Sequence, residues 1–125
     1  MIDHVSIAVS DLAAASAYYE AVLAPLGLTK LEARERTVGF GKKYAEFWLN
    51  LREEFAGAAD GAHICLRARS TEAVDAFHAA ALAAGGSSDG APGLRSHDGE
   101  GGYYAAFVRD RDGNRVEAVT FVGAQ

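Results

Sequence analysis

The strongest constraint on this chain is that its second half restates its first: strand-like and helix-like segments recur in the same order, about 60 residues apart. Residues 2–9 alternate, with Val5, Ile7 and Val9 on one face and His4, Ser6 and Ala8 on the other, which predicts a half-buried strand. Ser10-Asp11 then offers a helix N-cap, and Leu12, Ala15, Tyr19, Val22 and Leu23 recur at helical spacing until Pro25 and Gly27. A weaker apolar stretch, Leu28 to Leu31, and strands over 37–40 and 44–51 complete the first half. Residues 53–61 are small and acidic without periodicity and read as a linker. Alternation restarts at His63 to Ala68, and Ser70-Thr71-Glu72 leads a helix through Val74, Phe77, Ala81 and Leu82 to Gly85-Gly86. Residues 87–102 read as a Gly-rich loop with at most a short strand near Leu94. Strands over 103–109 and 115–122 close the second half around the turn Asp110-Arg111-Asp112-Gly113-Asn114. The expectation is an α+β fold, one domain over 1–125, built from two β-α-β-β-β modules at about 1–55 and 61–123.

Charge and composition remove several classes of function. A formal charge of -5, with Lys42-Lys43 as the densest basic pair, argues against a nucleic-acid partner. No apolar run approaches the ~20 residues of a spanning helix, so no membrane partner is expected. The one cysteine, Cys65, excludes an internal disulfide and a Cys-rich zinc site and suits a reducing cytoplasm. The first residues read directly as a strand, without the pattern of a secretory signal, so a cytoplasmic location is expected.

Overlaying the halves sets His4-Val5-Ser6-Ile7 on His63-Ile64-Cys65-Leu66 and Tyr44-Ala45-Glu46 on Arg115-Val116-Glu117. Each half thus carries a His and a Glu at matching strand positions. Two imidazoles and two carboxylates converging from four strands suit a divalent metal, and this ligand mix does not choose among Zn, Ni, Mn, Co and Fe(II). A lone His at a strand start is more often a structural residue, so Glu117 is the more informative member. It lies between Val116 and Ala118 in an apolar strand, where an unpartnered carboxylate is costly to bury: it either faces solvent or has a cation. Glu46 poses the same question, with Lys42 and Lys43 close enough to serve as surface partners.

Among the remaining polar residues, His78 reads as a helix-packing residue, whereas His97 belongs to a Gly-rich segment suited to close over a ligand. Tyr103 and Tyr104 take opposite faces of one strand, so at most one points to a site. Cys65 reads as an inert buried thiol, and Arg67, on the same face as His63, is placed to neutralise an anionic substrate.

With these residues in place, the chain resembles the vicinal-oxygen-chelate superfamily, which includes glyoxalase I, extradiol dioxygenases, fosfomycin-resistance enzymes and bleomycin-resistance binding proteins. The resemblance is carried by Ile2-Asp3-His4-Val5, Ala62-His63-Ile64 and the closing Asp110-Arg111-Asp112-Gly113-Asn114-Arg115-Val116-Glu117, which is similar to an Asp-Pro-Asp-Gly-Asn-x-Ile-Glu signature with Arg111 in place of Pro. It implies a cupped mixed sheet with helices on its outer face, a homodimer, and a divalent metal held by His4, His63 and Glu117. The fourth ligand of glyoxalase I falls on Glu46, or on Trp48, which shares its face, if the alignment slips by two. A ligand Glu, Glu117 or Glu46, then acts as base while the metal polarises a carbonyl and stabilises an enolate. The resemblance to glutathione-dependent members is weakened by Ala8, where an Arg is usual, and to extradiol dioxygenases by Phe107, where a catalytic Tyr is usual. A thiol transferase would need a basic cluster for a phosphonate, for which Arg67, Arg95 and Arg109 are the available residues. A bleomycin-resistance-type binder without catalysis is the alternative from another class, and the acidic chain suits a cationic drug. Such binders generally lack metal ligands, so retention of the set favours a glyoxalase-like enzyme acting on a small oxygenated substrate.

Overall fold

Period-two patterning becomes sheet, and the sheets repeat. In the computed structural model, which describes residues 1–96 and 102–122, the first half forms β1 (Val5–Val9), α1 (Leu12–Leu23), β2 (Thr29–Ala33), β3 (Thr37–Gly41) and β4 (Ala45–Leu51). The second forms β5 (Ile64–Arg67), α2 (Thr71–Ala83), β6 (Ser87–Arg95), β7 (Tyr103–Arg109) and β8 (Arg115–Phe121). The strand orders match: β1-β4-β3-β2 in one sheet and β5-β8-β7-β6 in the other. In each, the first strand runs parallel to the last and the other pairs are antiparallel. These are two mixed four-stranded sheets, an α+β fold of two tandem β-α-β-β-β modules. Both helices are capped as their sequences suggest, Asp11 accepting from the Ala14 amide and Ser70 from the Ala73 amide. Pro25 and a left-handed Gly27 at φ 83° end α1 through a 3-10 turn. No helix among the described residues is long and apolar enough to cross a membrane.

Residues 87–95 depart from the loop expected there, because they form a nine-residue strand paired with β7. Register shifts between Ser88 and Gly93 let it follow β7 despite its glycines and Pro92. Each helix packs across its own sheet and against the other helix. Tyr19, Phe40, Phe47, Phe77 and Leu23 fill that interior with virtually no solvent exposure. Val5, Ile7, Phe47, Leu49, Ile64, Leu66, Val116 and Ala118 point inward, so alternation turns His4, Glu46, Trp48, His63, Cys65, Arg67 and Glu117 to the opposite, open face.

The turn after β7 ties the halves together. The buried Asp110 carboxylate accepts from Tyr19 Oη at 2.7 Å, from the Asp112 and Asn114 amides at 2.9 Å, and from Asn114 Nδ2 at 2.9 Å. Asn114 Nδ2 also donates to the Ala8 carbonyl at 2.9 Å, and Asp112 accepts from both the amide and the hydroxyl of Ser10. Sequence from one module thereby satisfies polar groups of the other.

His78, on the inner face of α2, is buried with Nε2 2.9 Å from Ser88 Oγ. Burial lowers its pKa from the ordinary 6.5, opposed by the Asp75 carboxylate. The unfolded chain therefore binds the proton more readily, so the contribution of neutral His78 is present above the ordinary value and is lost as pH falls through it and below. Urea unfolding at pH 7.5 and 5.5 is expected to show a smaller loss of stability in a His78→Gln variant than in the native chain. An equal loss in both would remove His78 as a cause.

Candidate functional site

The edges of the two sheets meet where β1 and β5 begin, leaving a cavity of about 440 Å³ lined by Asp3, His4, Glu46, His63 and Cys65 above apolar neighbours such as Leu28 and Leu66. On its second-module wall, His63 Nε2 lies 3.2 Å from Glu117 Oε1. Glu117 is only 7% exposed, so its charge needs a partner, and the strand register supplies one more by setting Cys65 beside it. Desolvation first, then the Glu117 carboxylate that accepts its S–H, push the Cys65 thiol up to about 12, with Arg67 opposing. Cys65 is exposed rather than buried, and it is a neutral donor at physiological pH.

Across the cavity, His4 Nδ1 lies 2.8 Å from Asp3 Oδ2, and Tyr44 Oη donates to Asp3 Oδ1 at 2.8 Å. The His4 hydrogen bond, followed by that of Tyr44, holds the Asp3 carboxyl below the usual carboxylate range. A carboxylate at Nδ1 selects the tautomer whose Nε2 carries the free lone pair, the arrangement found behind metal-bound imidazoles. The only sequence signal for this chain of contacts was the acid next to His4.

The strand register realigns the repeat. Val5 lies beside Phe47 and Ile64 beside Val116, so with His4 and His63 equivalent, Trp48 falls on Glu117 and Glu46 on Arg115. Overlaying strand starts set Glu46 on Glu117 instead; the starts are not equivalent, because β3–β4 carries a bulge at Gly41 that β7–β8 lacks. Glu46 still lines the cavity, where its Oε2 is 3.5 Å from the Lys42 amide. Trp48 sits against Gly39, whose absent side chain makes the room: a Cβ there would lie 2.9 Å from the indole Cζ3. Arg34 stacks over Trp48 at 5.2 Å. In the second module the residue opposite Glu117 is Phe107, so the modules exchange bulk and charge between equivalent places.

The remaining site candidates scatter. Arg67 stacks over Phe121 at 4.8 Å on the open face, and Tyr103 lies nearby with its ring 6.3 Å from that of Phe121. Tyr104 takes the helix side, where its hydroxyl donates to Asp75 at 2.6 Å, so the structure does not bring it to the cavity. His97 lies outside the described residues.

Two ligands about 2.1 Å from one ion, at tetrahedral to right angles, are roughly 3.0–3.4 Å apart. The 3.2 Å His63–Glu117 separation matches that spacing. The pair therefore fits a divalent ion, and His4 lines the same cavity as His63. Among the described residues no group of three or more His, Cys, Asp or Glu is already gathered as a ligand set, so the two walls would have to close for His4 to join the pair.

Comparison with known proteins agrees with this architecture. The family described as Glyoxalase/Bleomycin resistance protein/Dioxygenase superfamily matches residues 1–118. A glyoxalase/bleomycin resistance protein from Albidiferax ferrireducens is similar at 33% identity and a TM-score of 0.83, over 94% of this chain and 96% of that one. A mutant of the fosfomycin resistance protein FosX from Listeria monocytogenes, solved with Mn(II) and 1S,2S-dihydroxypropylphosphonic acid, is similar in fold at 17% identity and a TM-score of 0.68, covering 94% of this chain and 87% of that one. A lactoylglutathione lyase from Agrobacterium tumefaciens shares the fold at 23% identity and a TM-score of 0.63, covering 95% and 92%. No curated protein matches the chain.

Proposed function

The chain belongs to the glyoxalase/bleomycin resistance protein/dioxygenase superfamily, and from that premise we propose that it is a glyoxalase-like, metal-dependent enzyme that moves a proton on a small oxygenated substrate. The observation that carries this reading is the buried Glu117 held 3.2 Å from His63, which lines a cavity together with His4 and Glu46. His4, His63 and Glu117 would hold the ion, with Trp48 in the fourth equivalent place supplying an apolar wall rather than a donor. A divalent ion bound there would polarise a carbonyl or hydroxyl oxygen and lower the pKa of the adjacent C–H. Glu46, free of the ligand set, takes the proton and returns it to the neighbouring atom. Asp3, backed by Tyr44, holds the His4 ring, and Cys65 donates to Glu117 to fix the carboxylate. The same reading carries a cytoplasmic homodimer and leaves Ni, Zn, Mn and Fe open as the metal.

The test is metal content by plasma mass spectrometry on untagged protein reloaded with Ni, Zn, Mn or Fe. Near-stoichiometric metal in the native chain, lost in a His63→Ala variant of unchanged circular dichroism, is the expected result. Unchanged metal in the variant, or native protein that cannot be reloaded, overturns the reading. A second reading, a bleomycin-resistance-type binder without catalysis, is favoured by Trp48 standing where a fourth ligand would be, and it becomes the conclusion if no metal can be loaded.

A further inference from the structure

Beyond the His63–Glu117 pair lies a second hollow of about 190 Å³, lined by Leu26, Leu28, Lys42, Glu46, Leu66 and Arg67. It shares Leu28, Glu46 and Leu66 with the larger cavity, so the two are adjoining parts of one cleft. Leucines make its apolar lining, and two cations border it. The Arg67 guanidinium rests 4.8 Å over the Phe121 ring. The Lys42 stem passes the Gly27 turn, its Cε 3.5 Å from where a Cβ on that glycine would stand. Arg67 is thus held by its aromatic contact while the Lys42 side chain is exposed, and among the described residues neither cation has a carboxylate within 4.0 Å.

We propose that the substrate of this cleft is a small organic anion, its carboxylate, phosphonate or phosphate group seated between Arg67 and Lys42 while an oxygen-bearing carbon lies against the His63–Glu117 pair. This rests on the seam being the functional site and adds the charge of the substrate. A guanidinium presents paired N–H donors to a planar or tetrahedral oxyanion and the ammonium adds a point charge, a complementary pair for one anionic group. Beside a leucine lining their attraction is stronger than in bulk water. Recognition has to be local, because a chain of net charge -5 does not draw anions by its overall field. Glu46 in the same hollow cancels one of the two positive charges, which favours a monoanion over a polyphosphate. His63 and Arg67 are about 13 Å apart along their strand, less the reach of their side chains, a span for a molecule of a few carbons.

The experiment titrates inorganic phosphate, methylphosphonate and acetate, at constant ionic strength, into the whole chain and follows its backbone amide and Arg67 Nε–H signals by NMR. At least one anion is expected to give saturable shifts centred on residues 26–28, 42 and 66–67, and the three arms separate phosphate, phosphonate and carboxylate. Arg67→Gln and Lys42→Gln should each weaken binding about tenfold, some 1.4 kcal/mol, and Lys43→Gln should not. Unsaturable shifts with all three anions, or equal weakening by Lys43→Gln, overturns the proposal in favour of unspecific charge. Because the titration needs neither metal nor turnover, its result is independent of metal loading: anion binding without metal uptake sinks only the enzymatic reading, and metal uptake without anion binding sinks only this one.

Discussion

Replacing Asp110 with alanine is expected to destabilise the protein by about 3–5 kcal/mol, lowering the melting temperature by roughly 10–20 °C. Four donors converge on that carboxylate, and among them the Tyr19 hydroxyl and the Asn114 side chain belong to buried residues. Each buried donor left without an acceptor costs about 1–3 kcal/mol, and the relief of no longer burying a charge offsets part of the sum. Asp110→Asn, which keeps one acceptor oxygen but sets an amide against other donors, should fall between. Urea unfolding followed by near-ultraviolet circular dichroism decides the matter, and a change below about 1 kcal/mol would mean that the turn is not what joins the halves.

The second large effect separates two carboxylates that the sequence alone treats as a pair. Glu117→Gln should abolish metal uptake, because it removes the charged member of the His63–Glu117 pair. Glu46→Gln should leave metal content within a factor of about two while lowering kcat by about 10²–10⁴, the usual worth of a positioned base, with KM little changed. Metal analysis and steady-state kinetics on whichever substrate the native chain turns over give both answers. Loss of metal in Glu46→Gln would instead make Glu46 a ligand and leave proton transfer to Glu117.

Why the sequence resolves faces but not registers follows from strand geometry. Period-two alternation assigned Val5, Ile7 and Val9 to one face and His4, Ser6 and Ala8 to the other, and set Trp48 on the face of Glu46; the packing of Val5, Ile7, Val9, Phe47 and Leu49 into the interior agrees. Sliding a strand by two residues leaves every side chain on its original face, so the pattern is blind to the slip that puts Trp48, and not Glu46, opposite Glu117 in the repeat. The same argument limits Tyr103 and Tyr104: alternation says that they part, and only the packing of Tyr104 against Asp75 says which one leaves the open face. β6 was hidden for another reason. Gly90, Pro92 and Gly93 remove the local preference for a strand, and it is the pairing with β7 that holds these residues extended. Nor did anything local reveal that Asp110 and Asn114 reach across to Tyr19 and Ala8, since those contacts span about 90 residues or more of chain.

A cleft made from two copies of one module offers a ligand nearly the same walls after a half-turn, and a small molecule would then bind in two rotated poses of similar energy. Only one pose would present its reactive carbon correctly, and half of all encounters would be idle. Trp48 over Gly39 in one module and Glu117 beside Phe107 in the other break the equivalence of the two modules, because bulk at one position answers charge at the matching one. A preference of about 1.4 kcal/mol already places roughly ten molecules in one pose for each in the other. If the cleft moves a proton as proposed, that proton is expected to move mainly on one prochiral face, and the product to be predominantly one stereoisomer.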